Sequence, residues 1–357
     1  MKVFLLCILF MVQTNLVSAQ EKKVTDLPNI SVIGSFDASS TKDKKEFNVT
    51  ELEFAFQHYL YPSVKADLFL GLHKNEEGKR ELELTEGFIT FNDVITLILP
   101  NQTSLCISMI LGKKLIGIGK INPTHKEQWF FIDKPLAHKT FFGSGHGLSA
   151  EGAQFQYLLP LPFFSQASVG YWTAQSEAHG EEAHEGIEYK NRILNARSWN
   201  SFALSQSQEL ELGLNYLLGN ASSSTKDEQP EVLGLDLTFT QQISANQSLT
   251  IAGEFFETQY AEEAHEGEEE ESGRKKQTGG FLSAWYKLNQ DYQFGARYAT
   301  LGKHGDEGSD NHAWSYMVTK QLTDTSKFKL QLNTGSDEDT ILASFIFGMG
   351  PHSHVLN

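Results

Sequence analysis

The sequence has 357 residues, of which 40% are hydrophobic and 21% charged, and its formal net charge is −16 at pH 7. A chain this acidic is not expected to bind nucleic acid, which is recognised by clustered Lys and Arg. Of its two cysteines, Cys7 lies in an N-terminal leader, so the mature chain keeps only Cys106 and no intrachain disulfide is expected.

The chain opens with a predicted secretory signal peptide, residues 1–20. Lys2 precedes an apolar run over 3–12, which is too short to span a bilayer as a helix, and the small residues at 18–19 suit cleavage. No linker divides the remainder of the chain. We therefore expect residues 21–357 to form one domain.

Alternation of apolar and polar residues predicts β-strands with two different faces. Residues 51–57 place Leu52, Phe54 and Phe56 on one face and polar side chains on the other. The same period of two recurs in residues 209–217, 233–239 and 327–333, and a further strand is predicted over 80–98. Helical spacing explains none of these segments, so the chain is predicted to be all-β.

The connections between these segments alternate in length, which favours a transmembrane barrel. Short links lie near Ser207, 245–247, 289–291 and 323–325, and long polar ones lie at 176–191, 220–230, 261–277, 303–311 and 335–339. Short periplasmic turns and long extracellular loops are typical of outer-membrane barrels. We expect a single antiparallel barrel of about sixteen strands, with both ends on the short-turn side and a lumen wide enough for water.

A soluble β-sandwich or propeller is the alternative, since both also alternate. No repeat of roughly 40–50 residues supports a propeller, and a sandwich has no reason to sort its loops by length. Aromatic residues predicted near strand ends on the loop side favour the barrel, because they would form an interfacial girdle. These are Tyr171, Trp172, Trp199, Trp285, Tyr286, Trp314 and Tyr316.

The long connection 119–147 differs from the others because it is strongly apolar. It contains Trp129 and Phe130 among other aromatic residues, and Pro123 and Pro135 stiffen it. A long connection of this composition is expected to be packed. Two placements remain open: folded into the lumen, where it would narrow the pore, or packed over the outer rim.

Two of the long loops carry the same hexapeptide, Glu-Glu-Ala-His-Glu-Gly, at 181–186 and 262–267. Imidazole and carboxylate groups together suit zinc, and also copper, nickel or iron. We predict a flexible, low-affinity collector of a divalent cation, whereas plain solvation of acidic loop tips is the alternative. The candidate metal ligands are His179, Glu181, Glu182, His184, Glu185, Glu262, Glu263, His265, Glu266, His304 and His312.

Eight of the twelve histidines fall in connections that we predict to lie on the outside of the barrel. They are His125, His138, His146, His179, His184, His265, His304 and His312. No tightly bound cofactor is predicted beyond a divalent cation in these loops.

Short motifs spread along the chain resemble a family of bacterial outer-membrane proteins. They are PNISVIG at 28–34, GKINPTH at 119–125, DKPL at 133–136, GLS at 147–149, LLPLP at 158–162 and FGMGPH at 347–352. The family is labelled zinc-regulated, TonB-dependent outer membrane receptors, and the resemblance spans nearly the whole mature chain. It implies an outer-membrane barrel whose expression or role is tied to zinc.

A porin-like channel that takes up or concentrates zinc or a related cation is the favoured function. A TonB-dependent transporter needs a 22-stranded barrel and a plug domain, which the 337 residues left after the leader (357 minus 20) do not supply. A non-conducting surface receptor or metal scavenger, the TonB-dependent label included, is the alternative. Since neither Gly-x-Ser-x-Gly nor His-Glu-x-x-His occurs, no enzymatic activity and no catalytic residue is predicted.

The expected location is the bacterial outer membrane, and the expected partners are its lipids and divalent cations. A homotrimer is the oligomer to consider, because trimers are common among porins of this size, but no residue pattern marks a subunit face.

Overall fold

The computed structural model of the chain describes residues 27–74, 80–99, 103–143, 145–174, 187, 189–222, 227–261, 274–302, 311–336 and 338–351. The signal peptide predicted at 1–20 lies outside these residues and stays a prediction. Within the described ranges, no helix is long and apolar enough to cross a membrane.

Seventeen strands of the described residues form one closed antiparallel sheet. They are β1 (Asn29–Ser40), β2 (Lys45–Tyr61), β3 (Val64–Lys74), β4 (Arg80–Phe91), β5 (Ile107–Leu115), β6 (Ser149–Leu158), β7 (Phe164–Ala174), β8 (Tyr189–Ser205), β9 (Gln208–Ser222), β10 (Asp227–Glu228), β11 (Glu231–Ser244), β12 (Gln247–Ala261), β13 (Arg274–Lys287), β14 (Tyr292–Leu301), β15 (Asn311–Thr323), β16 (Ser326–Gly335) and β17 (Thr340–Met349). The two-residue β10 only extends the pairing of β9, so sixteen long strands make up the wall. The ring closes where β1 pairs with β17, with Val32 opposite Met349. The prediction of one antiparallel barrel of about sixteen strands is confirmed.

The short connections lie together at one end of the barrel, which we call the turn end. They fall at 62–63, 206–207, 245–246 and 324–325, and the last three lie close to where the sequence predicts short links. β1 begins and β17 ends at this turn end, because β1 and β2 are antiparallel and join at the other end. We call that other end the loop end; it carries the long connections except the one between β4 and β5 (92–106), which lies at the turn end.

The strands alternate because their two faces meet different surroundings. In β16, Lys329 and Gln331 are buried, whereas Leu330 and Leu332 between and beside them are exposed. This polarity is the reverse of that of a soluble protein, with polar side chains inside and apolar ones on the outer surface. It is the pattern of a barrel whose outer face meets lipid.

One predicted strand is shorter than the sequence analysis expects. The apolar stretch predicted as a strand over 80–98 is divided: β4 ends at Phe91 and a short helix, α1, spans Val94–Ile98. The Asp93 carboxylate accepts a hydrogen bond from the backbone N–H of Thr96 at 3.2 Å, which caps the helix. The Asn-Asp pair before an apolar run is therefore a helix start here.

The predicted aromatic girdle is only partly correct. Tyr171, Trp314 and Tyr316 lie exposed on the outer face, as expected. Trp172 is fully buried and turned inward, and Trp285 stacks on Phe130 inside the barrel at 4.7 Å between ring centroids. Alternation explains the error, because neighbouring aromatic residues in a strand point to opposite faces.

The luminal segment as the candidate functional site

The connection between β5 and β6, residues 116–148, crosses the inside of the barrel. We call it the luminal segment. Near its start, the backbone N–H of Gly119 donates to Asn215 Oδ1 of β9 at 2.9 Å. Further along, Lys126 Nζ lies 2.7 Å from Asp37 Oδ2 of β1. β9 and β1 are on opposite sides of the ring, so the segment spans the lumen between them.

Near the start of the luminal segment, the backbone at Gly119 packs closely against the wall. This residue has φ +60°, and a Cβ there would lie 1.8 Å from Oε2 of Glu254 on β12. Arg197 of β8 donates to the Gly119 carbonyl, and Ile121 N–H donates to Glu254 Oε1 at 3.0 Å. Only glycine combines this backbone conformation with this close approach.

An apolar anchor fixes the middle of the segment. A second helix, α2, spans Leu136–Phe142, and its Phe141 and Phe142 are buried against inward side chains of the wall, Trp172 and Phe256 among them. The ring of Phe142 lies edge-on to Phe256, 5.0 Å between centroids. Aromatic residues in this connection are therefore packing residues inside the barrel.

An ion pair fixes the segment to β14 of the wall. Arg297 of β14 donates to the Asp133 carboxylate at 2.6 Å and to the Asp133 carbonyl at 2.8 Å. Burial would raise the pKa of the Asp133 carboxyl, but the positive charges of Arg297 and Lys139 overcome it and lower that pKa to about 2. Asp133 is thus ionised at every physiological pH.

His125 sits between two carboxylates of the wall. Its Nε2 lies 2.7 Å from Glu86 Oε2 on β4, and its Nδ1 lies 3.3 Å from Glu53 Oε2 on β2. The imidazole also packs on Phe69 at 4.9 Å between centroids. Burial lowers the pKa of His125, but the two carboxylates outweigh burial and raise the pKa well above its usual 6.5.

Two of the histidines that we predicted to lie on the outside of the barrel lie inside it, although both belong to a connection as predicted. His125 and His138 are buried in the lumen, and His138 Nε2 lies 3.2 Å from Glu254 Oε2. They are structural partners of wall carboxylates. The sequence carries one usable signal for this: Glu53, Glu86 and Glu254 all stand mid-strand on the polar face.

The predicted metal ligands fall almost entirely outside the described residues. His312 is described: it lies at the start of β15 with an exposed, outward side chain, and its Nδ1 lies 3.0 Å from Ser336 Oγ. Within the part of the chain that the structure describes, no group of three or more His, Cys, Asp or Glu is arranged to hold a metal ion. The ligands at 179–185, 262–266 and 304 stay predictions.

Comparisons with known proteins agree on the fold. No family model matches the chain. An uncharacterized protein of Aquifex aeolicus is 23% identical over 347 residues, which cover 88% of this chain and 70% of that protein. The structure is similar to the outer membrane channel DcaP of Acinetobacter baumannii, with TM-score 0.60 and 10% identity over 90% of this chain and 97% of that one.

Two further solved structures show the same similarity. The anion-selective porin from Comamonas acidovorans has TM-score 0.59 and 10% identity over 90% of this chain and 99% of its own. OmpF of Salmonella typhi, in complex with daunomycin, has TM-score 0.58 and 9% identity over 90% and 97%. The chain therefore has the fold of outer-membrane porins.

Proposed function

We propose that this protein is a porin-like channel of the bacterial outer membrane whose constriction is formed by the luminal segment. The observation that carries the proposal is the reversed polarity of the wall, illustrated by buried Lys329 and exposed Leu330 in β16. Such a wall can stand in lipid and still offer a polar interior. The similarity to porin structures supports the same function.

The constriction presents both signs of charge to water. Lys120 of the luminal segment pairs with Glu211 of β9 at 2.8 Å, and both side chains keep between a fifth and a third of their surface exposed. Lys126 and Asp37 form a similar, slightly less exposed pair. Because the charges are paired, we expect the passage to select small hydrated solutes mainly by size.

We further propose that the His/Glu-rich connections concentrate zinc or a related divalent cation at the mouth. This rests on the two copies of Glu-Glu-Ala-His-Glu-Gly at 181–186 and 262–267 and on the affinity of imidazole and carboxylate groups for such cations. The resemblance to zinc-regulated outer-membrane receptors points the same way.

Single-channel conductance of the refolded protein in a planar bilayer, titrated with Zn²⁺, tests both statements. We expect discrete conductance steps that Zn²⁺ blocks or reshapes. The triple variant His179→Ala, His184→Ala, His265→Ala should lose the zinc response while its zinc-free conductance stays unchanged. A silent bilayer from folded protein would contradict the channel, and an unchanged zinc response would contradict the cation collector.

A non-conducting surface receptor or scavenger is the second candidate, and one observation favours it. Inward side chains at mid-height are buried on opposite sides of the ring, among them Glu53 of β2, Asn215 of β9 and Gln331 of β16. A lumen filled in this way could be closed. If the bilayer stays silent, calorimetric titration of the folded protein with Zn²⁺ tests whether the protein is a zinc receptor. The TonB-dependent part of the family label belongs to this second candidate.

A homotrimer is part of the proposal. The fold neighbours include a trimer form of OmpT from Vibrio cholerae, with TM-score 0.55 and 9% identity. Chemical cross-linking of the folded protein should give a trimer band, and a single monomer band under conditions that cross-link a porin trimer would contradict it.

A further inference from the structure

The part of the luminal segment around His125 is held to the wall by titratable groups. Its imidazole bridges Glu53 and Glu86, with contacts of 3.3 and 2.7 Å. A neutral imidazole has one N–H and can donate to only one carboxylate, whereas the charged ring donates to both. The bridge is therefore complete only while His125 is protonated.

Two more carboxylates beside this bridge lack hydrogen bonds. Glu51 of β2 and Glu127 of the luminal segment are 2% and 1% exposed. None of their four carboxylate oxygens has a hydrogen-bond partner among the residues described. An ionised carboxylate in such surroundings is strongly disfavoured relative to the neutral acid. The packed arrangement thus accommodates Glu127 as the acid and opposes its ionised form.

Charged groups from several elements face His125 and Glu127. They are Glu51 and Glu53 on β2, Glu86 on β4, Lys114 on β5, Lys327 and Lys329 on β16, and Lys126 on the segment itself. Lys126 is engaged with Asp37 and Lys114 lies 3.6 Å from Glu86. His146 also approaches Glu51, at 3.8 Å. Loss of a proton from either His125 or Glu127 shifts this whole group toward negative charge.

We propose that residues 123–128 act as a proton-controlled latch of the channel. With His125 and Glu127 protonated, the stretch is held against β2 and β4. Loss of these protons as the pH rises releases the stretch and widens the passage. This inference rests on the proposed channel function, because it concerns the regulation of the same constriction.

The titration of both groups has the sign that the latch requires. The two carboxylates at His125 outweigh its burial and raise its pKa above 6.5. Burial raises the pKa of Glu127 above its usual 4.5, and Glu53 adds to this while His125 opposes it. A group whose pKa is higher in the packed state favours packing at low pH and loses that effect as the pH rises through the raised value. Release therefore follows an increase in pH.

Hydrogen exchange of the amides in 124–128 tests the latch without relying on conductance. Glu127→Gln is a permanently neutral isostere, and comparing it with the wild type at one pH removes the intrinsic pH dependence of exchange. We expect equal exchange of the two proteins at pH 4, below the usual pKa of 4.5 at which a released Glu127 would ionise. At pH 9 we expect wild-type exchange to be at least about tenfold faster, since a tenfold change in the opening equilibrium corresponds to a pKa that differs by about one between the packed and released states. Equal exchange of the two proteins at pH 9 overturns the latch.

Two further variants control this comparison. Glu257→Gln, on the outer face of β12 beside Lys276, should follow the wild type at both pH values. Glu127→Asp keeps a titratable carboxyl and should keep the alkaline release. If Glu127→Asp instead behaves like Glu127→Gln, the change in exchange is caused by the shape of the side chain and not by its charge, and the latch is overturned.

Conductance of the same proteins separates the latch from the channel. A channel that widens with pH in the wild type and not in Glu127→Gln supports both proposals. A folded barrel that stays silent while its exchange still depends on Glu127 supports the latch and overturns the channel. If both proteins conduct and their conductance changes with pH in the same way, the channel proposal is supported and the latch is overturned.

Discussion

At the residue scale, Gly119 is the position where the luminal segment tolerates least change. Gly119→Ala combines a left-handed φ of +60° with a Cβ placed 1.8 Å from Glu254. The backbone term alone costs about 1–2 kcal/mol, and the collision adds to it. We expect faster hydrogen exchange over 117–122. Gly143→Ala is the matched control, because its φ is +90° but no atom lies within 4 Å of its Cβ; equal effects of the two would contradict the steric argument.

Arg297 supplies the second prediction at this scale. Arg297→Met removes the closer of the two positive charges at the half-buried Asp133 carboxylate and leaves Lys139 at 3.7 Å. Breaking a buried ion pair typically costs about 3–5 kcal/mol, and the remaining Lys139 should hold the cost to the lower end of this range. Exchange over 130–135 should rise, and Asp133→Asn in the same chain should recover part of the loss. No recovery would show that the two side chains act independently.

The Arg297 anchor and the His125 bridge should respond to pH in different windows. The pKa of Asp133 is lowered from 3.8 to about 2, so its contribution to stability is present above pH 3.8 and is lost as the pH falls toward 2. Between pH 5 and pH 9 Asp133 keeps its charge, whereas burial lowers the pKa of Lys134 to about 7, so loss of the Lys134 proton favours the packed state as the pH rises. After correction for intrinsic exchange, opening over 130–135 should therefore not increase in this window, whereas opening over 124–128 should increase in the wild type. A parallel change in both stretches would mean that the segment moves as one body.

At the element scale, the luminal segment can be removed to test its effect on the passage. Deletion of 124–144 takes away α2 and the His125 bridge but no strand of the wall. Conductance should increase, because the polar inner face is no longer covered. An unchanged pore would contradict the proposed constriction, and a mobility shift on heating in a detergent gel checks that the shortened chain is folded.

The strands could be predicted from sequence because each one meets lipid on one face and a polar interior on the other. That constraint produces an alternation that is visible in short stretches, as in 327–333. The predicted end of β4 was wrong, because an apolar run directly after Asp93 is compatible with either a strand or a helix. The inward position of Trp172 could not be predicted from its type, because Tyr171 beside it is equally aromatic.

The luminal contacts depend on residues far apart in the chain, and this is why sequence alone left two placements open. Ile132 N–H donates to Gln331 Oε1 at 2.7 Å across a separation of 199 residues. The composition of 119–147 requires packing but does not choose the partner. The same applies to His125, whose carboxylate partners belong to β2 and β4.

At the scale of the whole molecule, the ring is complete without the luminal segment, since every long strand has a neighbour on both edges. Deleting 340–349 removes β17 and leaves β1 and β16 each with one unpaired edge. That variant should fail to give a heat-modifiable band, whereas the 124–144 deletion should retain one. A folded band from the β17 deletion would contradict the role of this seam, because the two freed edges have no partner in lipid.

The seam between β1 and β17 also sets an order of events during biogenesis. Val32 pairs with Met349, 317 residues further along the chain (349 minus 32). The outer edge of β1 therefore stays unpaired until β17 has been synthesised. Until then the sheet has two open edges and no closed outer surface, and its unpaired backbone groups are exposed to other chains. Closure of the seam is thus a check on completeness, because a chain that stops before β17 cannot close the ring.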